Sequence, residues 1–234
     1  MAQLFYRKSK TDKKGKWSDV FRSLFFILTF YLILRWVTFE PYVIPSGSMI
    51  PTFLVQDYVL VKKWAYGLRV PFSEDWLIGP TVPKRGDIVV FKSVDDSQHF
   101  LVKRVVGLPG DEVTVLEDGR IEINGIEWAY DSQPSIDNET LSFLENNQEK
   151  SYIIQFDKDL IRSQFITTVP EGEIFLMGDN RDHSMDSRYW GTLPINRVLG
   201  KVSLIWFSCG DSESHSSLLC SPEAIRWDRI KLVQ

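Results

Sequence analysis

Histidine and cysteine are scarce in this sequence: three of the first and two of the second among 234 residues. Two cysteines cannot build a disulfide-dense scaffold, and no Cys-x-x-Cys is present to hold zinc. No stretch reads Gly-x-Ser-x-Gly, Ser-x-x-Lys, His-Glu-x-x-His or Gly-x-x-x-x-Gly-Lys-Ser/Thr. Their absence argues against an α/β-hydrolase, a penicillin-binding-type serine enzyme, a zincin and a P-loop nucleotide enzyme. A Ser-His-Asp triad would need His99, His183 or His215. His99 opens a strand-like run, His183 sits inside a dense polar motif, and His215 lies in a polar serine-rich stretch, so a triad is poorly supported. An excess of positive charge is also missing. The net charge is −4, and nothing in the total favours nucleic acid. With 44% hydrophobic and 25% charged residues the chain is neither wholly disordered nor fibrous, and its length suits one sizeable domain.

The charge is unevenly placed. Residues 1–22 carry seven basic and two acidic side chains, net +5, which leaves −9 for the other 212. A basic tip on an acidic body suggests a membrane address. The run that follows, Ser23–Leu34, is twelve residues without a charge. As helix it spans about 18 Å, short of a hydrocarbon core of roughly 30 Å. Extension to Val20–Phe39 reaches about 30 Å and takes in Arg22 and Arg35 near the ends, where guanidinium groups reach the headgroups. Trp36, Phe39 and Tyr42 would then form an outer aromatic belt. No small-x-small site follows Leu34, so the expectation is an uncleaved anchor rather than a leader or a buried helix. The positive-inside rule makes residues 1–19 a cytoplasmic tip, 20–39 a transmembrane anchor and 40–234 an extracytoplasmic domain of an inner-membrane, single-pass protein. Cys209 and Cys220 then lie in an oxidising compartment, as a disulfide or as two thiols.

Past residue 40 the periodicity is mostly two. Tyr58–Val61, Asp87–Phe91, His99–Val106, Tyr152–Phe156, Glu173–Met177 and Val198–Phe207 are short runs rich in β-branched and aromatic residues. Glu112–Asn124 reads as a hairpin about Asp118-Gly119. Residues 131–150 are polar and patternless, and are expected as a surface loop or insertion. The expected architecture is a mainly β, antiparallel sheet or barrel-like domain tethered by one N-terminal transmembrane helix.

Three segments carry chemistry. In Ile44-Pro-Ser-Gly-Ser-Met-Ile-Pro-Thr52, two prolines and Gly47 can present Ser46 and Ser48 from one rigid turn; an ordinary connector has the same composition. In His99–Asp111, Lys103 and Arg104 interrupt an apolar strand, and alternation does not say which is buried. Arg cannot accept a proton, whereas a desolvated Lys loses its charge, so a general base here is Lys103. Gly178–Arg188 packs three carboxylates, two arginines and two hydroxyls into eleven residues. It suits a self-satisfying hydrogen-bonded loop. Asp179, Asp182 and Asp186 could instead ligate calcium, although the spacing is not that of an EF-hand and the arginines oppose a cation.

Ser-Gly-Ser-Met-x-Pro-Thr, Arg85–Phe91, Lys-Arg-Val-Val-Gly-Leu-Pro-Gly-Asp and Gly-Asp-Asn-Arg-Asp-x-Ser-x-Asp-Ser-Arg stand in this order, and together they resemble bacterial type I signal peptidase, from about residue 20 to 207. The resemblance implies Ser48 as nucleophile, Lys103 as general base, Ser46 with the Ser48 N–H as oxyanion donors, and Ser184 as the hydroxyl orienting the Lys103 amine. It makes Asp179, Arg181, Asp186 and Arg188 structural braces, leaves His183 non-catalytic, and puts Tyr42 and Ile44 on shallow pockets for small side chains. It implies no metal or cofactor. The partners it implies are preprotein signal peptides and the phospholipid membrane, with no nucleic acid. The chain departs from two-span relatives in having room for one span, and Phe53 stands where an aliphatic residue would leave a wider pocket. Thirteen residues separate Arg35 from Ser48, which keeps the hydroxyl near the outer interface, and Trp64, Tyr66, Leu68 and Trp76 would rest on lipid or pack in the core. Two other readings are a peptidase dedicated to one pilus or conjugation subunit, and a tethered β domain that only binds.

Overall fold

A computed structural model describes residues 13–70, 73, 75–93, 99–135, 138–210 and 220–233, with the backbone alone at 13–16 and 33–37. The chain divides into two compact units, Met1–Thr38 and Phe39–Gln234.

The first unit is one helix, α1 (Lys13–Val37), 25 residues long. Its side chains from Phe21 to Leu32 are mostly apolar and exposed, among them Phe25, Ile27 and Phe30. Among the described residues no helix is long and apolar enough to cross a membrane. The expected span 20–39 and the basic tip 1–19 lie partly outside the described residues, at side chains 33–37 and at residues 1–12.

The second unit is built from strands. In chain order they are β1 (Phe39–Val43), β2 (Asp57–Lys62), β3 (Leu68–Arg69), β4 (Trp76–Ile78), β5 (Ile88–Lys92), β6 (Phe100–Gly107), β7 (Glu112–Val115), β8 (Ile121–Ile123) and β9 (Ile126–Glu127). They continue with β10 (Ala129–Gln133), β11 (Thr140–Asn146), β12 (Ser151–Asp157), β13 (Phe165–Thr168) and β14 (Glu173–Met177). A short helix, α2 (Ser187–Trp190), precedes β15 (Leu193–Pro194), β16 (Val198–Ser208) and β17 (Lys231–Leu232). The main sheet runs β1-β2-β16-β5-β6-β14-β15, with β17 beside β16; smaller sheets are β13-β7-β8-β9, β10-β11-β12 and β3-β4. The named strands pair antiparallel, the register placing Val89 opposite Lys103 and Ile88 opposite Arg104.

The pattern of each strand follows its place. Along β2 buried and half-buried residues alternate, so Val59 and Val61 enter the core, each contributing about 1.5–3 kcal/mol. In β5, flanked by β16 and β6, Ile88-Val-Val-Phe91 is buried on both faces. The hairpin about Gly119 forms as expected. Gly119 has φ 87°, and a Cβ there would meet the Phe156 ring at 2.3 Å, so both backbone and space require glycine.

Residues 131–150 correct the loop reading. They hold the end of β10 and all of β11, paired with each other and with β12. The buried residues of β11 are polar, Thr140 and Ser142 on one face and Glu145 on the other, all under one-tenth exposed, so hydrophobic alternation is invisible there. Phe53 is buried in the core and is not among the residues lining the two cavities at Ser48. Tyr66 is a core residue whose hydroxyl donates to Asp87 at 2.9 Å, whereas Trp64 is exposed. Cys209 and Cys220 are joined as a disulfide, Cα to Cα 6.0 Å.

Candidate active site

The segment after β1 narrows into a single 3-10 turn, Gly47–Met49, entered through extended Ser46. The Ile44 N–H donates to Asp57 O, and the Phe53 N–H to Met49 O, so both ends of the turn are tied to the core. Met49 and Phe53 are buried, and Ser48, next to Met49 in the turn, is half-buried.

Strand β6 brings Lys103 to this turn. Its Nζ donates to Ser48 Oγ at 2.7 Å. Lys103 is 3% exposed and makes no ion pair among the described residues. Burial drives its amine down to about 8; the carboxylates of Asp186 and Asp179 pull the other way, and Arg188 adds to the lowering. Once neutral, the amine has a lone pair within reach of the Ser48 proton.

Arg104, the neighbouring cation, is equally buried and differs in its partner. Its Nε and Nη2 grip the two oxygens of Asp179 at 2.7 and 2.6 Å, and Nη1 donates to Gly86 O. The guanidinium lies over Tyr152, 3.7 Å from the ring centroid. Burial lowers its affinity for the proton, but Asp179 in first place, with Tyr152 and Glu145, raises it by more, so the guanidinium is held charged more firmly than a free one. Asp179 also accepts from the Thr52 hydroxyl, which ties this fork to the serine turn.

The remaining braces divide differently from a closed loop. Asp186 accepts from Arg188 at 2.8 Å and from the Gly178 N–H at 3.0 Å. Arg181 leaves the loop to reach Glu145 of β11 at 2.5 Å, and Asp182 takes Arg162. Each aspartate that calcium would have used therefore faces an arginine. Among the described residues no group of side chains could hold a metal ion. Asn180 locks the loop onto the turn: its N–H donates to Ser48 O and its Nδ2 to Gly47 O, both at 3.1 Å. His183 sits 3.1 Å from Asp157.

Ser184 is brought near but does not meet the amine. Its Oγ is buried without a hydrogen-bond partner among the described residues. It presses on Gly178, where a Cβ would lie 2.3 Å from Ser184 Oγ and 2.4 Å from Ser48 O. Ser46 is exposed and shares two cavities with Ser48. Tyr42 and Ile44 line the smaller of these. Sequence reasoning missed Glu145, hidden in an apparently structureless segment, and Asn180, whose role depends on a contact 133 residues away in sequence. Gly178 carried a local signal, as the residue between an apolar strand and the polar loop.

Comparison with known proteins agrees. The family described as signal peptidase, peptidase S26, matches residues 17–207. A signal peptidase I of Pseudomonas fluorescens is 38% identical over 215 residues, covering 85% of this chain and 75% of its own. One from Buchnera aphidicola subsp. Baizongia pistaciae is 36% identical over 272 residues, covering 96% and 86%. A crystal structure of an Enterococcus faecalis signal peptidase I shares 31% identity over 51% of this chain and 95% of that one, with a TM-score of 0.34. A match across most of the chain, with all four motif segments inside it, means that this protein belongs to the signal peptidase family, peptidase S26.

Proposed function

We propose that the protein removes signal peptides from exported preproteins, as a membrane-bound serine endopeptidase with Ser48 as nucleophile and Lys103 as general base. The observation that carries the reading is the 2.7 Å contact between the Ser48 hydroxyl and a buried amine held near 8. A serine hydroxyl attacks a carbonyl only when its proton has somewhere to go, and a neutral amine supplies that place. The Ser48 oxygen adds to the scissile carbonyl as Lys103 takes the proton. The ammonium then gives it to the departing amine. Water, activated by the same amine, releases the acyl group. Ser46 and the Ser48 N–H face the developing oxyanion, each such donor typically worth about 3 kcal/mol. Ser184 packs against the turn beside Gly178 and orients the amine once substrate tightens the site. Asp179, Arg181, Asp186 and Arg188 brace this arrangement.

The pocket of Tyr42 and Ile44, about 270 Å³, suits the small side chains that precede the cut. Beside it β6 has no strand partner on the side away from β5 from Phe100 to Lys103 among the described residues, so an extended peptide can lie along it. The uncharged run of α1 with its exposed apolar side chains serves as the single anchor, its basic end on the cytoplasmic side and the β domain outside.

Carbonate-washed membranes carrying the protein should cleave a peptide with a small-x-small site into two fragments, and the Ser48→Ala protein should not. An intact peptide with the wild type refutes peptidase activity. Below pH 8 the rate should fall about tenfold per pH unit, because the amine is neutral only above its midpoint of about 8. A limb centred near 6.5 would implicate a histidine instead. Gly178→Ala should lower kcat about a hundredfold or more, since its methyl group must push the Ser48 carbonyl or Ser184, and small misplacements at a reacting centre cost that much. Near-wild-type kcat in this variant would show that the close approach does not position Ser48.

A further inference from the structure

Ser48 and Lys103 open onto two cavities. The smaller is the apolar pocket of Tyr42 and Ile44. The larger, about 530 Å³, extends from the same two side chains to Asn180, His183, Met185 and Trp190. A peptide bond presented to Ser48 has chain on both sides. If the residues before the cut fill the smaller cavity, those after it need a second space that reaches the same hydroxyl, and the larger cavity is that space.

Its walls differ in freedom. Asn180 is committed to the backbone of Gly47 and Ser48. Trp190 packs on Phe91, ring centroids 5.8 Å apart. His183 faces Asp157. Met185, by contrast, is 67% exposed, and among the described residues it is not part of a core cluster, unlike Leu101 and Trp190 of the same wall. An unbranched thioether adapts to whatever packs on it. We infer that this cavity holds the first two residues after the cut, and that Met185 is a specificity-determining residue that favours uncharged side chains there. The inference rests on the peptidase reading.

The test uses the full-length protein in detergent and peptides that differ only at the two positions after the cut, carrying Ala, Leu, Lys or Glu. Met185→Glu should raise the ratio of kcat/KM for Lys over Glu about tenfold relative to the wild type, because a carboxylate placed beside the chain attracts one and repels the other. Met185→Lys should move the same ratio in the opposite direction by a similar factor, which guards against one variant folding badly. Ratios within twofold of wild type in both variants would overturn the inference and leave the peptidase reading standing. Failure of the wild type to cut any peptide of the series would remove both.

Discussion

Replacing Lys103 with methionine is expected to abolish cleavage and, at the same time, to make the protein more stable. The two effects share one cause. An amine that is 3% exposed and held near 8 carries a desolvation penalty in its charged form. The unfolded chain binds that proton up to about 10.4, so between pH 8 and 10.4 the unfolded state holds more protons and stability rises with pH. Below pH 8 the penalty is present in full, about 3 kcal/mol for a shift of this size. Methionine keeps the unbranched shape without the charge. After loss of the hydrogen bond to Ser48, a net gain of about 2 kcal/mol remains at pH 7, or roughly 4–8 °C in thermal midpoint. Calorimetry of both proteins at pH 7 and pH 10 checks this: the advantage should shrink at the higher pH. A variant that loses activity together with several degrees of midpoint would show that Lys103 serves the fold rather than the chemistry.

Asp179→Ala is expected to be the most damaging change outside the dyad. It strands the Arg104 guanidinium, 2% exposed, without its carboxylate and frees the Thr52 hydroxyl. Removing one partner of such a pair costs about 3–5 kcal/mol, because an uncompensated charge stays buried. The segment that carries Ser48 loses the hydrogen bond from Thr52 to Asp179 and keeps only the longer 3.4 Å contact of Thr52 with Arg104, so kcat should fall as well. Asp179→Asn separates the two effects. It preserves shape, and by removing a carboxylate that favours the Lys103 ammonium it should move the acid limb of activity below pH 8. Urea titration and a pH–rate profile are the measurements. An unchanged midpoint in Asp179→Ala would mean that the fork contributes nothing net, and an unmoved limb in Asp179→Asn that the carboxylate does not act on the amine.

Much of the β domain is legible before any coordinates. Tyr58–Val61, Asp87–Phe91 and the hairpin about Gly119 announce themselves because one side of each strand, or both, is apolar and the turn residues are specific. β11 does not, because its buried residues are Thr140 and Ser142 on one face and Glu145 on the other, and buried polar side chains read in sequence like solvated ones. The serine turn is legible as a turn from its two prolines and Gly47. That Asn180 holds it is not, since a contact across 133 residues leaves no local mark.

Sequence by itself determined the residue types, the turns, the alternation and the order of the motifs, all of which depend on neighbours along the chain. Tertiary structure alone decided that both of these adjacent cations, Lys103 and Arg104, are buried, and which partner each one meets. Side-chain chemistry makes Lys103 the one that can give up its proton, and the fold supplies the burial that favours this: Asp179 closes on Arg104, while the Lys103 amine donates to a hydroxyl. Desolvation and partner distance are properties of the packed interior, and no spacing of letters contains them.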